Sequence, residues 1–372
     1  MSFFTLQQKS NNTSARLGKI SIAGLEIETP VFMPVGTYGM IRALTAKDVE
    51  DIGYKLILNN AYHLYLRPGL EILNDIGGIN ALSCWPHALL TDSGGFQVYS
   101  LSEFRKITDE GVYFRNHIDG QYHTFTPKGV IDIQRVIRSH IIMPLDECTA
   151  QGVDKSYAET AMKRTHEWAK IQKEYNDGFD DKQVLFGIAQ GNMYEDLRVD
   201  SIKVLTDMDF DGYSIGGLSV GEEKSVMYDL TRLSCGHLPE NKPRYLMGVG
   251  APEDLVECID AGVDMFDCVF PTRNARNATV FTKYGRLHLK NACHDRDYNP
   301  IEDECNCFTC KNYSRSYLRH LFRLNEIAAH RLSTIHNLTY WYNLIKEIKH
   351  AIKTNTYPEF KKTFYSNYRQ AT

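Results

Sequence analysis

Three aspartates each follow a short apolar run bounded by turn residues: Asp92 in TDSGGFQ, Asp146 in MPLDEC and Asp267 in MFDCVFPTR. Gln190 in IAQGN and the pair Gly216-Gly217 in SIGGLSVG hold equivalent places. A single Asp in such a place reads as the cap of the next helix or the start of a turn. Three of them, with an amide and two glycine-rich turns, point to a shared site. Two carboxylates at one mouth suit displacement at an anomeric carbon. One attacks as nucleophile; the other protonates the leaving group and later deprotonates the incoming one. A third acid and an amide can read the polar edge of a heterocycle by hydrogen bonding. The glycines of Ser93-Gly94-Gly95 and Gly216-Gly217 allow backbone to approach a flat ligand closely, and Phe96 can stack on it. Spacing alone does not separate this chemistry from others housed at a barrel mouth.

A second constellation is Cys305-x-Cys307-x-x-Cys310, three soft ligands within reach of one ion. Zinc in a closed structural site takes four N/S ligands, so a downstream histidine is expected as the fourth. His320, His330 and His336 all qualify by type. Three thiolates would quench Lewis acidity, so a structural ion that pins an appendage to the main body is expected over a catalytic one. The other six cysteines (Cys84, Cys148, Cys235, Cys258, Cys268 and Cys293) are scattered. The N-terminus, MSFFTLQQKSNN, has no basic start or apolar core of a signal peptide, and no apolar run reaches about 18 residues. A cytoplasmic protein with free or metal-bound thiols and no membrane association is expected.

The elements that must position these groups are legible as apolar runs alternating with helical stretches. Strands are predicted at Pro30–Val35, Lys55–Asn59, Leu89–Thr91, Ile141–Leu145, Val184–Ile188, Gly212–Ile215, Tyr245–Met247 and Asp264–Phe266. Helices such as Ser156–Tyr175 and Pro252–Ala261 lie between them. Eight such repeats predict an α/β fold, a (β/α)8 TIM barrel, whose strand ends would gather the acids at one mouth. A doubly wound open sheet is the structural alternative. GKISIAGLEIETP reads as a hairpin around Ala23-Gly24 that plugs the barrel bottom, and ATVFTKYGRLHLKN as another around Tyr284-Gly285. The expected division is a barrel with N-terminal and inserted hairpins over 1–291, a zinc-binding subdomain over 292–340, and a C-terminal helical segment over 341–372 that packs on the barrel.

Composition agrees with one folded chain of 372 residues, 43% hydrophobic and 24% charged. The net charge of −4 conceals an asymmetry. From Pro271 onward there are 17 basic and 8 acidic residues; the preceding part holds 25 and 38. An acidic body with a basic final third raises the question of a polyanionic partner.

Taken together, these motifs resemble the bacterial tRNA-guanine transglycosylases, also called queuine tRNA-ribosyltransferases. The resemblance runs from TPVFMPVGTYG through NNAYHLYLRPG, LLTDSGGFQVYSL, LDEC, LFGIAQG, FDGYSIGGLSVGE, PRYLMGVGAPEDL and MFDCVFPTRNARN to CNCFTC and TIHNL. It implies a (β/α)8 barrel with a zinc-binding insertion. It also implies exchange of the wobble guanine of tRNAs with GUN anticodons (those for Asp, Asn, His and Tyr) for a 7-deazaguanine, preQ1 in bacteria, in queuosine biosynthesis. Carried over, Asp267 is the nucleophile on ribose C1′, giving a covalent tRNA–enzyme intermediate, and Asp92 is the acid/base. Asp146, Gln190 and the backbone of Gly217 and Leu218 read the base edge beside Ser93, Gly94 and Gly95, while Phe96 and Met247 sandwich the ring. The resemblance selects His336 as the fourth ligand of one Zn2+ per subunit. It places RNA contacts on Gly248, Val249, Gly250, Ala251, Pro252, Glu253 and Asp254, and on Thr272, Arg273, Asn274, Ala275 and Arg276, and implies a homodimer.

Val220 stands where eukaryotic relatives, which take the bulkier queuine, typically carry glycine; with Cys148, it favours preQ1 over queuine. Departures from the pattern are Ala278 for the usual glycine, Ala189 for a larger aliphatic, and Ala150 for proline. Two rival readings are a non-catalytic tRNA-binding paralogue, which should lack Asp92 or Asp267, and a barrel glycoside hydrolase, which would leave the cysteine cluster and basic surplus without purpose.

Overall fold

The computed structural model describes residues 2–101 and 104–368. Three antiparallel strands come first: β1 (Phe4–Lys9), β2 (Arg16–Ile22) and β3 (Leu25–Thr29). The β2–β3 turn is Ala23-Gly24 as predicted; both residues have positive φ, which matches a two-residue turn to strand twist. The leading strand β1 was not foreseen. Then follow β4 (Val31–Gly36), β5 (Leu56–Asn60) and β6 (Ala88–Asp92). An inserted antiparallel sheet holds β7 (Arg105–Thr108), β8 (Gly111–Arg115) and β9 (Tyr122–Phe125). The core resumes with β10 (Ile141–Ile142), β11 (Val184–Ala189), β12 (Gly212–Ile215), β13 (Arg244–Leu246) and β14 (Met265–Cys268). A last hairpin pairs β15 (Thr279–Thr282) with β16 (Gly285–His288) through a Lys283-Tyr284 loop, one residue earlier than predicted.

The eight strands β4–β6 and β10–β14 close into a parallel barrel, because β14 pairs with β4 and β10 with β6. Closure excludes the open-sheet alternative. The expected Ile141–Leu145 strand shrinks to two residues. Pro144 offers no N–H to a ladder, and the side-chain amides of Gln134 and Gln172 take over instead, accepting from Met143 N (3.1 Å) and Leu145 N (2.7 Å).

Alternate residues fill the barrel: Met33, Leu56, Leu58, Ala88, Leu90, Phe186, Ile188 and Met265 point inward in one apolar cluster. Phe4, Ile20 and Ile27 of the N-terminal sheet belong to the same cluster, so that sheet plugs the N-terminal end. Buried Arg16 of β2 locks it there. Its Nε donates to Asp264 Oδ1 (3.0 Å), it also pairs with Oδ2, and its other nitrogens donate to the carbonyls of Glu240 and Lys242.

A single helix, Ile327–Lys353, runs against the outside of the barrel and through position 340, so the boundary expected between 340 and 341 falls inside one continuous element. Its fully buried Trp341 lies among Phe32, Phe270 and Phe281 and donates Nε1–H to Gly250 O (2.8 Å). Among the described residues no helix is long and apolar enough to cross a membrane.

Removing one partner of a buried ion pair strands the other. Arg16→Met should therefore lower unfolding free energy by about 3–5 kcal/mol in denaturant titration. An unchanged midpoint would show that Arg16 does not hold the plug.

Candidate active site

The C-terminal strand ends surround a cavity of about 400 Å3 lined by Asp92, Ser93, Gly94, Phe96, Asp146, Gly217, Leu218, Val220, Met247, Asp267 and Arg273 among others. Asp92 ends β6, Asp267 lies within β14, Gln190 follows β11, and Gly216-Gly217 follow β12. Residues remote in sequence thus meet because the barrel closes.

The two carboxylates are held differently. Asp267 Oδ1 accepts the Tyr245 hydroxyl (2.6 Å) and Gly248 N–H (2.8 Å); Oδ2 carries no hydrogen bond among the described residues. Burial raises its pKa, while both bonds favour the ionised form. Asp92 Oδ2 accepts Asn60 Nδ2 (2.6 Å), and Oδ1 accepts Ala61 N (3.0 Å) and Gly94 N (3.2 Å). Burial above all, helped by the charges of Asp267 and Asp146, lifts Asp92 to about 7 against those backbone bonds. Burial likewise lifts Asp146 to about 6, opposed by the 2.7 Å bond from Gln190 Nε2 to its Oδ2. One carboxyl is thereby poised to exchange protons near neutrality, beside another fixed through a single oxygen.

The glycines answer to the protein as much as to a ligand. A Cβ on Gly94 (φ +79°) would lie 2.8 Å from Tyr62 Cβ, and one on Gly217 (φ +64°) 2.6 Å from Gln190 Oε1. Behind the Gly216-Gly217 turn, fully buried Arg198 donates to the carbonyls of Gly216 (3.1 Å), Gly217 (3.3 Å) and Asn192 (2.7 Å). Phe96 is 49% exposed and Met247 half-buried, both on the cavity wall.

Asn60, Tyr245 and Arg198 were not singled out by sequence reasoning. Asn60 stands in the quoted NNAYH stretch and Tyr245 in a predicted strand, but neither type announces a carboxylate partner.

The segments expected to meet RNA are mostly interior. Val249, Gly250, Ala251, Pro252, Glu253, Asp254, Thr272 and Ala275 are buried. Glu253 and Asp254 pair with Lys224. Gly248 and Arg273 are exposed, and Asn274 and Arg276 partly so. Among the described residues the buried Nη1 of Arg276 has no partner, and its pKa is lowered by burial and by the neighbouring charges of Arg42 and Arg273. Three guanidinium groups therefore lie near one another, and Arg273 among them lines the cavity; Arg42 was not among the expected residues. Ala278, buried at φ +62°, occupies a left-handed position that suits glycine, and Ala189 is buried at the end of β11.

In the cysteine cluster, Cys305, Cys307, Cys310 and His336 offer ligand atoms all within 4.8 Å of one another. Each sulfur lies 3.3–3.7 Å from His336 Nδ1. Metal–ligand distances of about 2.3 Å to sulfur and 2.0–2.1 Å to nitrogen imply tetrahedral S···N edges of about 3.5 Å, so the set fits a metal ion such as zinc. His336 Nε2 lies 2.8 Å from Phe281 O, which leaves Nδ1 for the metal. His320 is exposed and His330 stacks edge-on against Phe322, so neither joins the cluster.

The raised Asp92 pKa has a stability consequence. The group's favourable contribution is complete below its ordinary value of 3.8 and is lost as pH rises towards about 7. The stability of the parent minus that of Asp92→Asn should therefore fall across that window in denaturant titrations; a flat difference would contradict the shift. At the cluster, elemental analysis should find one bound metal per chain, lost in His336→Ala. Chelation should expose the amides of 292–340 to hydrogen exchange; unchanged protection would exclude a structural ion.

Residues 10–370 match the family described as Queuine tRNA-ribosyltransferase. Proteins of that name from Thermoanaerobacter sp. (strain X514), Caldanaerobacter subterraneus subsp. tengcongensis and Halothermothrix orenii are 53%, 52% and 49% identical to the chain. The alignments cover 98%, 97% and 98% of this chain and 97%, 96% and 97% of those relatives. With the barrel, the paired carboxylates and the Cys3His cluster already in place, this extent of likeness shows that the chain belongs to the queuine tRNA-ribosyltransferase family of enzymes.

Proposed function

We propose that the enzyme exchanges the wobble guanine of GUN-anticodon tRNAs for preQ1 by double displacement. The observation that carries this reading is the unequal support of Asp92 and Asp267 at one cavity. Asp267, anchored through Oδ1, attacks ribose C1′ with Oδ2; the C1′–N9 bond breaks, and a covalent ribosyl ester forms. Asp92, protonated near neutrality, gives its proton to the departing guanine. The resulting carboxylate then takes a proton from preQ1 as N9 attacks C1′ and the ester bond breaks. Two inversions at C1′ give net retention.

Asp146, Gln190 and the Gly217–Leu218 backbone read the base edge, with Phe96 and Met247 on its faces. Val220 on the cavity wall fills room that queuine's cyclopentene would need, which favours preQ1. Arg273, Arg276 and Arg42 supply positive charge for phosphates of a loop whose target base leaves its stack. Zinc on Cys305, Cys307, Cys310 and His336 would be structural, tying a subdomain to the barrel. The expected setting is a cytoplasmic homodimer.

The test is incubation with a guanine-34 tRNA and labelled guanine. Exchange is expected, as is a denaturant-resistant protein–RNA adduct when no base is added. Asp267→Asn should abolish the adduct, while Asp92→Asn should bind tRNA and lose exchange by a factor of at least about 100. Absence of exchange by the parent enzyme would remove the reading, and equal incorporation of queuine and preQ1 would remove the steric argument at Val220.

A further inference from the structure

Arg198 stands near the start of the helix Glu195–Asp207, where the positive pole of the helix disfavours a cation. It is fully buried, and among the described residues its hydrogen bonds all end on carbonyl oxygens rather than on a carboxylate. Burial lowers its pKa to about 10, which leaves it charged at neutral pH. A buried cation without an ion pair is costly, and a neutral side chain could satisfy a loop carbonyl. A residue that breaks two local rules at the back of a candidate site points to a role in that site.

The role lies in the turn that it holds. Nη1 and Nη2 both donate to Gly216 O at 3.1 Å, and Nη2 also donates to Gly217 O at 3.3 Å. Both peptides are trans, so each N–H points opposite to its C=O. With the two carbonyls turned to the guanidinium, the N–H groups of Gly217 and Leu218 point the other way. Gly216, Gly217 and Leu218 line the cavity and Arg198 does not, so these N–H groups face the cavity. Neither has a hydrogen bond among the described residues. The next two, of Ser219 and Val220, are both taken by the Glu222 carboxylate. The open pair lies beside Gln190, which bonds Asp146. A positive charge on the carbonyl side polarises both peptides and strengthens their donors.

We propose that Arg198 is a positioning residue that sets base specificity. By fixing the peptides after Gly216 and Gly217, it makes the turn a donor pair that selects a base with a ring carbonyl oxygen at that edge, as guanine has at C6. A base with no oxygen there leaves the two donors unpaired and is rejected. Without the guanidinium, a Gly-Gly turn is free to rotate its peptides and present a carbonyl instead. The inference rests on the reading of the cavity as a guanine pocket and adds what orients its backbone donors.

The test is guanine binding to the full-length protein without tRNA. Arg198→Met should raise the guanine Kd about tenfold or more. Its preference for guanine over 2-aminopurine, which lacks the C6 oxygen, should shrink by the same factor. Its Kd for an anticodon stem-loop abasic at position 34 should equal that of the parent. Arg198→Lys keeps the charge but reaches fewer carbonyls; it should fall between, and it carries the test if the Met variant does not fold. An unchanged guanine Kd, an unshifted base preference, or an equal loss against the abasic stem-loop would overturn the assignment. Failure of the parent to bind guanine would remove the pocket reading and the role of Arg198 together. Guanine binding without exchange into tRNA would remove only the proposed activity, and the variants would still decide the role of Arg198.

Discussion

Closure of the sheet between β14 and β4 is the constraint on which the rest depends. The pairing of Asp267 with Met33 completes the barrel and turns eight strand ends toward one opening. Without it, Asp92, Asp146, Gln190 and Asp267 would lie along the edge of an open sheet, each bathed in water and each an ordinary carboxylate or amide. Within the ring they share a desolvated space, and that desolvation raises all three acids. Hydrogen bonding then distinguishes them. Backbone donors do not return Asp92 to the ordinary carboxylate range, whereas Tyr245 and Gly248 fix Asp267 by one oxygen.

The eight barrel strands were legible because buried parallel strands are short apolar runs separated by helices. Failures occurred where side chains replace backbone pairing. Gln134 and Gln172 end β10 early around Pro144, and nothing in the local run announces it. Strand β1 and the inserted sheet carry polar, partly exposed residues and so lack the buried-run signal. Motifs located the acids and the cysteine cluster, yet not their supports: Asn60, Tyr245 and Arg198 are recognised only through the atoms they meet. The segments expected to meet RNA were read as stretches of chain, and a stretch does not tell which of its members face outward. Val249 and Glu253 do not, while Arg273 does.

The basic final third needs a similar refinement. Part of its surplus is met by acids of the preceding part: Lys361 pairs with Glu257 and Asp260, Arg331 with Asp48 and Lys349 with Glu28. Several of these pairs fasten the C-terminal helices to the acidic body. Charge asymmetry along the sequence was partly the signature of two parts that attract one another. The cations at the mouth are fewer, and Arg42 comes from the other end of the chain.

The long helix Ile327–Lys353 carries His336 and, about 7.5 Å further along its axis, Trp341. Trp341 holds the carbonyl of Gly250, two residues from the Gly248 amide that fixes Asp267 Oδ1. One continuous helix thus links the Cys3His cluster to the backbone that fixes the Asp267 carboxylate, through two hydrogen bonds and two residues of chain.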